Sequence, residues 1–209
     1  MNGNRTRDME VDNEVVTYLD NNVYPKIGAK IKRYFDRETQ MKGIDIHFTY
    51  KDLKNVTVDE KTLTHYINKD LPTFAFELSF INKGDVIEGW FTDTDKVTEY
   101  YMIVWLRAKK EWDIKHSDIT HAQLYLVSRN KISEYLSENG FDTKTLREKT
   151  LEIRKKDVEG ALEKGVHNGF YFYYSKKLVE MPINVVVSKS VLKSLAEYTF
   201  AGPNIFTNV

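Results

Sequence analysis

The stretch Gly43–Phe80 reads GIDIHFTYKDLKNVTVDEKTLTHYINKDLPTFAFELSF, and it contains three segments with the apolar and polar alternation of a β-strand. In the first segment the apolar residues share one face, and Asp45 lies on the other. In the second segment two valines share a face, and Asp59 and Lys61 lie on the opposite one. In the third segment the aromatic residues share a face and Glu77 lies opposite them. The sequence therefore predicts three neighbouring strands, each with a carboxylate on its polar face.

The length and composition of the chain favour a folded protein with one large core. The 209 residues are 41% hydrophobic and 13% aromatic, which is too apolar for a disordered chain even with 30% charged residues. No repeat, low-complexity tract or proline-rich linker divides the sequence. We therefore expect a single domain over residues 1–209, with a core motif region in 1–107 and a C-terminal part, 108–209, that completes the sheet and its helices.

Charge and cysteine content exclude several classes of protein. The chain has no cysteine, which excludes disulfide frameworks, thiolate metal sites and cysteine nucleophiles. It begins without an apolar signal segment and contains no uncharged run long enough to span a bilayer, so we expect a soluble, cytoplasmic protein with no membrane partner. Thirty-one basic residues balance 31 acidic ones, so any binding of nucleic acid must come from a local basic patch.

The order of predicted elements is that of a mixed α/β protein. Residues 8–35 fit an amphipathic helix that is broken or bent near Pro25 into two pieces, and 36–40 form a polar connection to the first strand. The apolar run Tyr100–Leu106 is the best candidate for a central strand. Further elements are predicted as strands at 122–127, 170–174 and 182–188 and as helices at 129–139, 143–156 and 190–198. This succession predicts an α/β sandwich around a mixed sheet.

The acidic residues of the first two strands have the chemistry of a divalent-cation site. Mg²⁺ is commonly held by one or two carboxylates together with substrate phosphate and water, and Asp45 and Asp59 provide such a pair. The backbone carbonyl of Glu60 is a further candidate ligand. Lys61 lies on the same face as Asp59, where its ammonium group can hold an attacking water or stabilise charge on a phosphoryl oxygen. We therefore interpret this group as a site for metal-assisted hydrolysis of a phosphate ester.

Asp45, a spacer of thirteen residues, and then Asp59-Glu60-Lys61 on the following strand resemble the signature of the PD-(D/E)XK nuclease superfamily. The resemblance covers about the first half of the chain, and it includes a helix before the acidic strands. It implies a restriction-endonuclease-like fold, with a mixed sheet flanked by helices and extra C-terminal strands and a helix. It also implies Asp45 and Asp59 as metal ligands, Lys61 as the catalytic lysine, Mg²⁺ or Mn²⁺ as cofactor and DNA as substrate. Ile44 stands where the family's nominal proline would be.

Three residues are candidates for auxiliary roles at this site. Glu14 is a candidate because an acidic residue of the first helix often joins such sites in this family, and Glu77 because its strand follows Lys61. Gln40 is a candidate for a hydrogen bond to phosphate or to a metal-bound water. Each has a simpler alternative, since an exposed glutamate or glutamine often has no specific role. The histidines near the site match no zinc pattern, and we assign them to no metal.

The sequence thus predicts a magnesium-dependent nuclease, without indicating whether it is an endonuclease or an exonuclease. Two alternatives stay open. In the first, the segment around Asp59 is an exposed strand end, with Lys61 solvated. In the second, the whole chain is a catalytically inactive module of the same fold that binds nucleic acid or a protein partner. A homodimer is compatible with either function.

Overall fold

The first helical region runs through the N-terminal segment and ends where a glycine caps it. In this computed structural model the backbone is described for residues 2–202 and 206–207 and the side chains for residues 10–202. Helix α1 (Asn2–Tyr18) continues through a π-helical turn (Leu19–Val23) into α2 (Tyr24–Ile27). Pro25 has no N–H to bond the carbonyl of Asn21, four residues earlier, and its ring crowds that carbonyl. Asn21 lies within the wider π turn. Gly28, with φ 75°, then ends the helix in the left-handed conformation.

The prediction that a second helical piece extends to residue 35 is wrong, because α2 ends at Ile27. After Gly28 the chain forms strand β1 (Lys30–Arg33), in which Lys30 and Lys32 alternate with Ile31 and Arg33. The 36–40 connection contains a short helix, α3 (Arg37–Met41), and the Asp36 side chain accepts a hydrogen bond from the Thr39 N–H to cap it.

Within the described residues the chain forms two compact units, each with its own sheet. The first unit comprises Met1–Leu71, Thr98–Ser128 and Ala196–Val209, and the second comprises Pro72–Val97 and Arg129–Leu195. This division differs from the predicted single domain with a boundary after residue 107, because the chain leaves the first unit twice and returns to it each time. No helix in the described part of the chain has the length and apolar character needed to cross a membrane.

The sheet of the first unit is mixed. Its further strands are β2 (Ile46–Tyr50), β3 (Leu53–Thr62), β6 (Tyr100–Ala108), β7 (Ile119–Ser128), β11 (Ala196–Gly202) and β12 (Phe206–Thr207). In the described residues the strand order is β1-β2-β3-β6-β7-β11-β12. β3 and β6 are parallel, and the other neighbours are antiparallel. The predicted central strand is confirmed, because β6 occupies the middle of this order. Two 3₁₀ turns, Thr64–Tyr66 and His116–Asp118, belong to the same unit.

One face of this sheet packs against the N-terminal helical region. The strands contribute Ile46, Phe48, Val58, Met102, Val104 and Leu126 to this core, and the helical region contributes Val15, Leu19, Val23, Tyr24 and Ile27. These side chains are nearly all inaccessible to solvent. Because side chains alternate along a strand, the residues between them, which include Asp45, Asp59 and Lys61, lie on the other face of the sheet.

The second unit has an antiparallel sheet of its own. The strands are β4 (Thr73–Asn82), β5 (Asp85–Glu88), β8 (Gly160–Leu162), β9 (Phe170–Tyr174) and β10 (Ile183–Ser188), in the order β5-β4-β10-β9-β8. Its helices are α4 (Arg129–Glu138), α5 (Thr143–Lys156) and α6 (Lys189–Leu195). The predictions for α4, α5, β9 and β10 are confirmed within one or two residues. The last helix was predicted to reach Tyr198, but it stops at Leu195 and the chain continues as β11.

Two expectations about the sheets are therefore corrected. The segment that contains Glu77 is β4, which pairs with β5 and β10 in the second sheet and not with β3. The neighbour of β3 on that side is β6. The C-terminal part of the chain completes the first sheet with β7, β11 and β12, but it also contributes β8, β9 and β10 to a second sheet, which was not expected. The mixed α/β class that the sequence predicts is observed.

Candidate active site

The pairing register of β2 and β3 brings Asp45 and Asp59 together. Ile46 pairs with Val58, and the Asp45 N–H donates a hydrogen bond of 2.9 Å to the Val58 carbonyl. Asp45 immediately precedes β2, and its carboxyl group shares a hydrogen bond with that of Asp59. Ile46 and Val58 contribute to the core below the sheet, so the two carboxylates share the opposite face.

The carboxylate of Asp45 is held by one backbone donor and by the neighbouring aspartate. Its Oδ2 accepts a hydrogen bond of 2.7 Å from the Glu60 N–H, and it shares a hydrogen bond with Asp59. Burial, followed by the nearby charge of Asp59, raises the pKa of Asp45 to about 6. The Glu60 N–H and the charge of Lys61 oppose that rise in pKa. The Asp45 carboxyl group is therefore protonated more readily than an ordinary aspartate.

Lys61 contacts the second member of this pair. Its Nζ lies 2.8 Å from Asp59 Oδ1, and its side chain is 25% exposed while that of Asp59 is 9% exposed. The Lys61 side chain is therefore more accessible to solvent than that of Asp59. Because one lysine faces two carboxylates, the group carries a net negative charge when both aspartates are ionised. That charge favours a bound cation.

The donor set fits a hard divalent cation with open coordination positions. The Glu60 N–H is directed at Asp45, and the N–H and C=O of one strand residue are directed to the same side, so the Glu60 carbonyl lies on that side as well. Asp45, Asp59 and this carbonyl would hold Mg²⁺ or Mn²⁺ as oxygen ligands. Among the residues that the structure describes, no set of three acidic or histidine side chains forms a cation site, so substrate phosphate and water would complete the shell.

Glu14 lies elsewhere in the first unit. Its carboxylate accepts a hydrogen bond of 2.8 Å from the His116 N–H and lies 3.1 Å from Lys115 Nζ. The His116 N–H is the main reason that the pKa of Glu14 is lowered to about 2. The turn at His116 leads into β7, whose first residue pairs with Ala108 at the far end of β6 from Asp59. Glu14 therefore anchors α1 to that turn, and its expected auxiliary role is not supported by this placement.

The other two auxiliary candidates are carried by elements other than β2 and β3. Gln40 is exposed on α3, and its Nε2 donates a hydrogen bond of 3.4 Å to the Tyr34 carbonyl. Glu77 belongs to the second unit, where it pairs with Asn184 and its carbonyl accepts a hydrogen bond from the Phe91 N–H. Its carboxylate is therefore carried by a different sheet from the two aspartates.

A buried charge network behind the candidate site was not identified from the sequence. The Glu60 side chain points away from Asp59. It lies on the core side of β3, where Arg33 contacts it at 2.5 Å and Tyr24 donates a hydrogen bond to it. Arg33 also binds Asp20 through Nε at 2.8 Å and NH2 at 2.6 Å. Burial by itself would lower the pKa of Arg33, but its hydrogen bonds to Asp20 and Glu60 raise that pKa. The alternation of KIKR was the available signal, since it places Arg33 and the lysines on opposite faces of a strand.

Tyr34 and His47 form a second group on the face that carries the carboxylates. The Tyr34 hydroxyl lies 2.8 Å from His47 Nδ1, and the two rings meet edge to face with centroids 5.2 Å apart. The Tyr34 N–H donates to the Asp45 carbonyl, and the Lys32 ammonium lies 4.9 Å from the centre of the Tyr34 ring. These residues extend the polar face of the site from β3 to the edge strand β1.

Comparisons of the chain with protein-family models, with curated proteins and with solved structures find no match.

Proposed function

We propose that the protein hydrolyses phosphodiester bonds in DNA, with Mg²⁺ or Mn²⁺ bound by Asp45 and Asp59 and with Lys61 as the catalytic lysine. The observation that carries the proposal is the meeting of these three side chains on one face of β2 and β3. DNA as the substrate rests on the resemblance to PD-(D/E)XK nucleases. The same resemblance supports a restriction-endonuclease-like core in the first unit, in which a helix precedes the two acidic strands.

Each residue of the group has a separate task in this reaction. A bound divalent cation would neutralise phosphate charge and lower the pKa of a coordinated water. Asp45 and Asp59 supply its carboxylate ligands, and the hydrogen bond from the Glu60 N–H fixes the orientation of Asp45. The Lys61 ammonium holds the attacking water or stabilises the phosphoryl oxygen as its negative charge grows. The water oxygen forms a bond to phosphorus and gives up a proton to solvent, the ester P–O bond breaks, and the departing oxygen takes a proton from solvent.

The decisive experiment compares two lysines of the same strand. Lys61→Ala is expected to lower metal-dependent cleavage of a labelled duplex by at least roughly a hundredfold, because it removes a charge that acts on the transition state. Lys54→Ala is the matched control, because Lys54 is also on β3 but is exposed and bonded to the Lys51 carbonyl. Circular dichroism checks that both variants fold. Equal activity of Lys61→Ala and the wild type would refute the mechanism, and a labelled RNA substrate of the same sequence tests the choice of DNA.

The absence of a third acidic ligand among the described residues favours a second candidate function, a binding module that does not cleave. In such a module the two carboxyl groups would share a proton and hold no cation. Isothermal titration with Mn²⁺ separates the two functions. A nuclease binds the ion and loses that binding in Asp59→Asn, whereas a binding module gives no heat with either protein.

A further inference from the structure

The connection that leads into the candidate site exposes two large apolar side chains. Phe35 is 74% exposed and Met41 is 61% exposed. They lie at either end of the segment 35–41, which contains α3 and joins β1 to β2. A single exposed apolar residue is common, but two on a short segment beside a candidate active site indicate a contact surface.

The surroundings of these residues are basic, although the chain as a whole has 31 residues of each charge. In residues 26–42 the exposed basic side chains are Lys26, Lys30, Lys32, Arg37 and Lys42, and the acidic ones are Asp36 and Glu38. Arg33 is left out of this count because it lies in the network with Glu60. The five basic residues against two acidic ones give a local excess of three positive charges. We call Lys30, Lys32, Phe35, Arg37, Met41 and Lys42 the basic edge.

Lys30 and Lys32 of the basic edge lie on the sheet face that carries Asp45, and Phe35 is joined to them along the chain. Phe35 follows Tyr34, whose N–H donates a hydrogen bond of 2.9 Å to the Asp45 carbonyl. Lys32 pairs with His47 across β1 and β2, and His47 lies two residues from Asp45, so Lys32 and Asp45 share one face of the sheet. A strand of nucleic acid with one phosphate at Asp45 and Asp59 would therefore have its neighbouring phosphates near Lys32.

We propose that the basic edge binds single-stranded DNA beside the scissile phosphate and that an unpaired base stacks on Phe35. This proposal deepens the proposed function and rests on it. An aromatic ring among lysines and arginine is the arrangement with which proteins bind single strands, because the ring takes a base and the cations take the backbone. A paired base inside a duplex is stacked on both sides and offers no face to Phe35. The substrate class is therefore DNA with an unpaired segment, such as a single strand, a flap or a frayed end.

The test measures binding separately from cleavage. A fluorescein-labelled single-stranded oligonucleotide with 2-aminopurine at one position is titrated in EDTA, where no hydrolysis occurs, and anisotropy and 2-aminopurine emission are recorded. Phe35→Ala is expected to weaken binding roughly five- to hundredfold and to abolish the change in 2-aminopurine emission. Phe35→Trp is expected to restore both signals. Trp112→Ala is the matched control, because Trp112 is a 65% exposed aromatic residue of the same unit outside the basic edge.

The basic residues give a second, independent readout. Lys32→Ala and Arg37→Ala are each expected to reduce the slope of log K against log salt by roughly 0.7, whereas Phe35→Ala should leave that slope unchanged. Equal binding by Phe35→Ala and the wild type overturns the proposal, and so does equally tight binding of a blunt duplex. Loss of self-association in Phe35→Ala, seen by sedimentation, would instead identify a contact between two copies of the chain.

Failure of this proposal is distinguishable from failure of the proposed function. If the protein cleaves DNA with Mg²⁺ but Phe35→Ala binds single strands normally, only the role of the basic edge is wrong. If Phe35→Ala loses binding while the wild type never cleaves, the basic edge is right and the hydrolytic function is wrong.

Discussion

Each face of β3 carries a cluster of two carboxylates and one basic side chain. The basic side chain contacts the carboxylates differently on the two faces. On the core side the fork of Arg33 bridges Asp20 and Glu60 with four hydrogen bonds. On the other side Lys61 is a point charge that contacts Asp59 at 2.8 Å. Asp45 and Asp59 are therefore left against each other, and burial beside Asp59 raises the pKa of Asp45. The cluster of Arg33, Asp20 and Glu60 has its hydrogen bonds made and stabilises the fold. In the cluster of Lys61, Asp45 and Asp59 one positive charge faces two carboxylates, so that cluster is available for a ligand.

The largest effect on stability is expected when Arg33 is removed from the cluster on the core side of β3. Arg33→Met leaves Glu60 buried and uncompensated, so we expect the free energy of unfolding to fall by about 3–5 kcal/mol in urea denaturation. The double variant Arg33→Met with Glu60→Leu removes both charges and should recover part of that loss. Lys32→Met is the control on the same strand and should change stability by less than about 0.5 kcal/mol. An unaffected Arg33→Met protein would show that the network does not stabilise the fold.

A neutral residue at position 45 should stabilise the metal-free protein at high pH. The pKa of Asp45 in the folded protein is about 6, above its ordinary value of 3.8, so the folded state binds more protons between these pH values. The stability contributed by this group is therefore fully present below pH 4 and is lost as the pH rises through 6. In EDTA at pH 8 we expect Asp45→Asn to be more stable than the wild type by about 1–3 kcal/mol. The advantage should shrink at pH 4, and an equal difference at both values would contradict the assigned cause.

A divalent cation should have the same stabilising effect by a different route. At about ten times its dissociation constant, Mn²⁺ is expected to raise the free energy of unfolding by about 1.4 kcal/mol, because it binds the folded state alone. Asp59→Asn should abolish this effect, which thermal denaturation with and without the ion measures. Glu14→Gln is the matched control, because that carboxylate is held by Lys115 and His116. Equal loss of the effect in both variants would mean that the ion binds elsewhere.

The smallest effect is expected at the exposed ion pair of α3. Lys42 lies 2.9 Å from Glu38 one helical turn away, with both side chains more than half exposed. Lys42→Ala should change the free energy of unfolding by at most about 0.5 kcal/mol, because solvent screens the pair. Chemical denaturation at low and high salt checks this. A loss of several kcal/mol would show that surface pairs and the buried network are not distinct in this protein.

Local sequence patterns correctly predicted two kinds of element: a fully buried strand and a helix whose own residues favour the helical conformation. The apolar run Tyr100–Leu106 predicted β6. The charged, helix-favouring composition of residues 143–156 predicted α5 with the same first and last residues as in the structure. Residues 30–33 were assigned to a helix because their apolar spacing also fits a helical period, while the left-handed Gly28 ended the helix before them. The placement of β4 was beyond the sequence, since an amphipathic strand does not specify which strand pairs with it.

The candidate site was predictable to the extent that it depends on alternation along one strand pair. Alternation placed Asp59 and Lys61 on one face, and the pairing of β2 with β3 brings Asp45, just before β2, beside Asp59. The position of Glu14 depends instead on the phase of a helix, which the π turn changes before α2. The pairing of Arg33 with Glu60 joins residues 27 positions apart on different strands, and no periodicity in the sequence connects them. The catalytic roles of the three site residues stay predictions.

The π-helical turn Leu19–Val23 also sets how the first unit tolerates changes in chain length. A π turn holds one residue more than an α-helical turn of the same span, so deleting one residue there would leave an uninterrupted α-helix. Residues on either side of the turn would then keep their orientation relative to one another, so Val15 and Tyr24 would both still face the core. The same deletion within α1 would instead rotate the residues before it by about 100° relative to α2. The π turn is therefore the place where this helical region takes up one residue without disturbing its packing.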